Sequence, residues 1–173
     1  GVRELAVEGM IQVREGDMRG SDKVLAVLNE QLAEELTAIS QYMVQSEMCS
    51  NWGYQRLHKG IEKIAMVEMK HAEKLIGRIL FLEGKPMVSK LDEFHIGEDV
   101  QSILRNDVES EVTAIRDYNN AVATAVAEGD NGSAHLLREI LEDEEEHLDW
   151  LEAQRDQIDQ VGLQNYLAAQ IRE

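Results

Sequence analysis

Cysteine occurs once in the 173-residue chain, at Cys49. That excludes an intrachain disulfide, a CxxC redox pair and a cysteine-based zinc cage, and it fits a reducing compartment. Proline also occurs once, at Pro86, and aromatic residues make up only 5%. A chain so poor in Pro and aromatics, and rich in Leu, Ala, Glu, Gln and Met, favours helix over sheet. Basic residues are scarce: 17 Lys and Arg face 34 Asp and Glu, for a net charge of −17. Phosphate contacts need Lys and Arg, so a nucleic acid is a poor partner. The charge suits a cation-attracting surface or cavity, and equally plain solubility. No apolar run approaches the roughly 20 residues that span a bilayer. Residues 1–17 also lack the basic and then apolar pattern of a secretory signal. No membrane partner is expected, and the expected location is the cytoplasm.

What is present is 43% hydrophobic residues, enough for one packed core in one domain. Residues 1–17 show no clear period and read as an extension, leaving 18–173 as the domain. A first helix is expected to open at Ser21 or Asp22, both good N-caps, and to end near Asn51–Gly53. Its inward stripe is Val24, Leu25, Leu28, Leu32, Leu36 and Ile39. A second is expected from about Gln55 to Glu83, with Leu57, Ile61, Ile64, Leu75, Ile79 and Leu82 inward and Gly84 and Pro86 stopping it. Residues 84–98 lack a period and suit a long connection between parallel helices. A third helix is expected from about Asp99 to Glu128, a fourth from about Ala134 to Gln160, and a short fifth after Gly162. The predicted class is all-α: a four-helix bundle with a long crossover between helices two and three and a short C-terminal fifth helix.

The chain also repeats itself. Residues 35–42 read ELTAISQY and residues 111–118 read EVTAIRDY, an offset of 76. The same offset carries Glu68 to Glu144 and His71 to His147. Each half thus holds one Glu on its first helix and, 33 residues later, a Glu-x-x-His on its second. Positions i and i+3 share a helix face. Glu35, Glu68, His71, Glu111, Glu144 and His147 all fall on inward stripes, so four carboxylates converge in an apolar core. Unpaired buried carboxylates are very costly, and no inward stripe of Lys or Arg is there to pair them. Two divalent metals with two imidazole ligands resolve the conflict, in the pattern of di-iron carboxylate bundles; such a ligand set suits iron or manganese. One Glu-x-x-His alone would be a weak signal. Two at matched spacing after matched core glutamates are a strong one.

With those six residues placed, the sequence resembles the bacterioferritins, a haem-containing ferritin family. The resemblance runs over about residues 18–172, through MRGSDKVLAVLNEQL, EELTAISQY, VEMKHAEKLIGRILFLEG, IGEDV, DEEEHLDWLE and GLQNYLAAQI. It implies a ferritin-like fold and a ferroxidase, with Glu35 and Glu111 as terminal ligands, Glu68 and Glu144 as bridges, and His71 and His147 completing one iron each. Fe(II) would be oxidised by O2 or H2O2 and the ferric mineral stored in a 24-subunit shell. The shell is expected as a homo-oligomer built from dimers, with a second subunit type as an alternative, and a ferredoxin-type protein as electron donor. Met69 matches the residue that ligates haem b, one Met from each subunit at a two-fold interface. It stands about 100° from the core stripe, with Ala65, Ala72 and Ile76 expected on its side and Leu36, Ile39, Met43 and Met66 as pocket lining; ordinary Met packing is the alternative. The sequence departs from the family at Lys63 and Val67, where some members carry a His and an acid on the inner face of the second helix.

The remaining signals are weaker. Tyr42 and its duplicate Tyr118 suit hydrogen bonding to a ligand or shared packing. Trp52 and Trp150 are expected to pack, His58, His95 and His135 to lie on the surface, and Cys49 to be inert. Two rival functions fit an acidic bundle. One is a rubrerythrin-like di-iron peroxidase, whose usual four-cysteine domain a single cysteine excludes. The other is a non-catalytic helical assembly module, which the duplicated ligand set disfavours.

Overall fold

The computed structural model describes residues 18–172, and the expected extension at 1–17 lies outside them. Five helices follow in order: α1 (Asp22–Asn51), α2 (Gln55–Phe81), α3 (Val100–Ala127), α4 (Asn131–Val161) and α5 (Leu163–Gln170). Their ends have local causes. Ser21 caps α1, its Oγ accepting from the Val24 amide at 3.2 Å. Asp99 and Ser102 form a reciprocal capping box at α3. Asp130 accepts from the Ser133 amide at 2.9 Å, which starts α4 three residues earlier than its apolar period suggested. Gly162 turns at φ +79° between α4 and α5, a conformation glycine adopts without strain.

Short turns make α1–α2 and α3–α4 antiparallel hairpins. Across them α1 and α3 also run antiparallel: Lys23 meets Glu128 near one end and Gln41 meets Asp107 further along. It follows that α2 and α3 are parallel. A link between parallel helices must return the length of the bundle, about 40 Å for a helix of this size. Residues 82–99 do this, with an extended reach of roughly 60 Å. The crossover is tied down along α1. The Met87 amide donates to Asn29 Oδ1 (2.8 Å), the Asp92 amide to Thr37 Oγ1 (2.8 Å) and the His95 amide to Gln41 Oε1 (2.9 Å). A segment without regular structure thereby satisfies its polar backbone.

The interior divides in two. One apolar cluster holds Val24, Leu28, Leu32, Leu75, Ile79, Tyr118, Ala121, Leu137 and Ile140. The other holds Tyr42, Leu57, Ile61, Ile64, Ile103, Leu104, Val108, Leu151 and Tyr166. On each of the four long helices the break between them falls at the same height: between 32 and 42, 64 and 75, 108 and 118, and 140 and 151. The six repeated acid and imidazole residues occupy that break. All six inward positions expected of α2 are buried, whereas Leu36 and Ile39 of α1 are only partly so.

Candidate metal centre

Each of the four long helices contributes to the buried layer: Glu35 from α1, Glu68 and His71 from α2, Glu111 from α3, Glu144 and His147 from α4. All six are buried, and no Lys or Arg is buried among the described residues. They form two overlapping sets. Glu35, Glu68, His71 and Glu144 make one; Glu68, Glu111, Glu144 and His147 make the other; in each, the donor atoms lie within 4.8 Å of one another. Glu68 and Glu144 belong to both. Both imidazoles turn Nδ1 to the centre. His71 Nδ1 stands 2.8 Å from Glu68 and 3.1 Å from Glu144; His147 Nδ1 stands 3.1 Å from Glu68 and 3.4 Å from Glu144.

Two tyrosines cross between the hairpins. Tyr42 of α1 donates its hydroxyl to Glu111 of α3, and Tyr118 of α3 donates to Glu35 of α1. Tyr42 therefore serves the carboxylate across the bundle rather than the one on its own stripe. The exchange is what approximate two-fold symmetry between duplicated hairpins requires.

Electrostatics show what the layer lacks. Burial pushes Glu35 and Glu111 well above the usual carboxylate range, and the charges of Glu68 and Glu144 add to it. Burial opposes a charged His71, but hydrogen bonds to Glu144, Glu35 and Glu68 outweigh it and hold the ring protonated far above its ordinary value. For His147 the same contest, won by Glu144 and Glu68, raises the pKa to about 9. Burial would raise Glu144 too, yet its hydrogen bonds from His147 and His71 keep it below the usual range. Protons are the only countercharge among these residues. Glu111 Oε2 has no hydrogen-bond partner, and Glu68 Oε1 and His147 Nδ1, though 3.1 Å apart, are poorly aligned for one. Buried carboxylates that converge on one another suit a cation, and carboxylates with imidazoles suit a divalent transition ion.

A cavity of about 440 Å³ reaches this layer from between α1 and α3. The buried residues Glu35, Tyr42, Glu68, Glu111, Tyr118 and Glu144 form its floor, while the exposed Asp92, Glu93, His95 and Glu109 form its mouth. Glu34 lines the wall, its carboxyl raised to about 9 by burial and by the neighbouring Asp117.

Comparison with known proteins places the chain in a family. The ferritin-like domain model matches residues 25–161. A bacterial ferritin of Synechocystis sp. is 41% identical over 155 residues, 89% of this chain and 99% of the relative. A bacterioferritin of Rhodobacter capsulatus is 40% identical over 86% of this chain and 92% of its own length. One of Mycobacterium bovis is 37% identical over 87% and 95%. The chain belongs to the bacterioferritin family. Its ferritin-like bundle, long crossover and short fifth helix match the expected fold class.

Other residues of this bacterioferritin fall less uniformly. Met69 is 46% exposed on α2, one turn after the exposed Met66, and Met43 is exposed on α1. Their soft thioethers suit a haem. Ala65 and Ala72, one turn to either side of Met69 on α2, are buried in the two core clusters, and Ile76 is half-buried against the first. His95 and His135 are exposed as expected, but His58 is half-buried with Nδ1 3.1 Å from Ser46 Oγ. Cys49 is fully buried, and burial pushes its thiol up to about 12, an inert thiol at neutral pH. Trp150 lies against Gly60, where a Cβ would stand 2.4 Å from its ring, whereas Trp52 is more than a third exposed at the end of α1. Lys63 is exposed and Val67 half-buried. Asp143 is the participant that the repeat did not reveal: its Oδ2 lies 2.9 Å from His71 Nε2. Its counterpart at the 76-residue offset is Val67, so a test for shared residues passes over it.

Proposed function

We propose that this chain is a subunit of an iron store that oxidises Fe(II) at the buried layer. Glu35 and Glu111 act as terminal ligands, Glu68 and Glu144 bridge the two ions, and His71 and His147 hold one ion each. One observation carries the reading: four buried carboxylates and two imidazole Nδ1 atoms converge with no Lys or Arg among them.

The charges account for a directed reaction. Four carboxylates offset two Fe(II) ions, so the occupied layer is neutral and burying it costs little beyond ligand desolvation. Binding must first drive protons from His71 and His147, because the ligand form of imidazole is neutral. Two Fe(II) each give one electron, and two protons with these electrons take one H2O2 to two waters, or one O2 to H2O2. The two positive charges gained favour release of Fe(III) from the layer into a mineral. Tyr42 and Tyr118 hold Glu111 and Glu35 in place by hydrogen bonds from outside the ligand set. The acidic mouth at Asp92, Glu93 and Glu109 concentrates Fe(II) at the cavity.

The same reading places the product inside a 24-subunit homo-oligomeric shell in the cytoplasm, with reduction by a ferredoxin-type donor. Met69 from each of two subunits would ligate one haem b, which supplies one-electron transfer when bound. Stopped-flow Fe(II) oxidation and solution mass test the proposal. Glu68→Ala and His71→Ala are expected to abolish the fast oxidation phase with the shell intact; wild-type rates in both would refute it. Met69→Leu is expected to lose haem with oxidation retained, and unchanged haem content would remove Met69 as the ligand.

A further inference from the structure

The two metal positions are built from duplicated residues, but their outer support is not duplicated. His71 turns Nδ1 to the centre and Nε2 to Asp143 of α4, at 2.9 Å. A carboxylate accepting from Nε2–H fixes the tautomer, leaves the Nδ1 lone pair for a metal, and locks the ring plane. His147 likewise turns Nδ1 inward, yet no carboxylate meets its Nε2 among the described residues. The duplication places Val67 where that partner would stand. Val67 is half-buried and cannot accept a hydrogen bond. His71 is fully buried, while the His147 side chain is 9% exposed.

We infer that Asp143 is a positioning residue for His71, and that its missing counterpart at Val67 makes the two metal positions unequal. The position formed by Glu35, Glu68, His71 and Glu144 holds its ion. The position formed by Glu68, Glu111, Glu144 and His147 exchanges its ion. In a centre that must load Fe(II) and shed Fe(III), turnover then runs through the second position while the first keeps the carboxylates paired. The inference rests on the two-metal reading above and adds an order of filling to it.

The test uses Zn(II), which binds these ligand types without redox chemistry, and the whole assembled protein. Calorimetric titration of the wild type is expected to show two Zn(II) per chain, with affinities at least about tenfold apart, the typical worth of such an outer carboxylate. Anomalous diffraction at one equivalent should place the ion beside His71. Asp143→Ala should lower the tighter affinity by about 10–100-fold and spread the single equivalent over both positions. Asp143→Asn, whose amide oxygen still accepts from Nε2–H, should restore the preference for the His71 position. Val67→Asp should raise the weaker affinity toward the stronger. Equal filling in the wild type, or an unchanged preference in Asp143→Ala, would overturn the inference. A wild type that binds no Zn(II) at these six residues would overturn the two-metal reading itself, which equal filling would leave intact.

Discussion

The buried layer and the two apolar clusters around it lie on the same four helices, a few turns apart and equally removed from water. They do opposite work. In the clusters, residues such as Leu28, Leu75, Ile79 and Leu137 are fully buried and gain from it by the hydrophobic effect. In the layer, Glu35, Glu68, Glu111 and Glu144 are as deeply buried and oppose folding until a cation arrives. The bundle is thus held from both ends and strained in the middle. A binding site of this kind can stay open without metal because its walls are not its own source of stability.

That contrast can be broken at several points. Leu28→Ala or Ile79→Ala opens a cavity in the first cluster and is expected to cost about 2–5 kcal/mol of stability in chemical denaturation, with Fe(II) oxidation per folded chain retained. Loss of oxidation with stability intact would reverse the assignment of roles. Glu111→Gln in the layer is expected to act the other way: metal-free protein as stable as wild type or more so, and Fe(II) oxidation slowed at least about tenfold, as for loss of a metal ligand's support.

Acidity sharpens the same comparison. Burial raises Asp107 to about 7 and raises Glu35 and Glu111 well above the carboxylate range. A group whose pKa is higher folded than unfolded stabilises fully below its unfolded pKa and loses that contribution as pH climbs through the folded one. For Asp107 this window runs from near 4 to about 7. His147, raised to about 9, loses its contribution from near 6.5 up to that value. Glu144, held low, already contributes fully above the ordinary Glu range. Chelated protein is therefore expected to melt at a lower temperature at about pH 8 than at about pH 6. Zn(II) should reverse that order, since its binding expels protons. A chelated protein that melts higher at the upper pH would contradict the buried-acid account. The smallest expected effect lies far from the layer. Asp130→Ala removes the cap of α4 and a 2.8 Å contact to Arg78, for about 1 kcal/mol and no change in metal binding.

Much of this was legible in the chain itself, because the repeat converts one observation into two. The 76-residue offset isolates Glu35 and Glu111, then Glu68 with His71 and Glu144 with His147, and the structure brings all six together. Helix limits were legible to within three residues, the widest miss being the start of α4, where the Asp130 cap outruns the apolar period. What stayed hidden depends on register between helices. The crossed Tyr42–Glu111 and Tyr118–Glu35 bonds follow from how α1 lies against α3, which periodicity within one helix cannot set. Asp143 was hidden for another reason: a search for shared residues cannot find a residue that only one half possesses.

The ties between the crossover and α1 bear on how iron would approach. Thr37 holds Asp92 and Gln41 holds His95, and these α1 residues lie within the two turns that follow Glu35. The threshold of the cavity and one of its innermost carboxylates are in effect mounted on a single rod. If that rod shifts as subunits dock against one another, doorway and destination travel together, and the passage between them keeps its width.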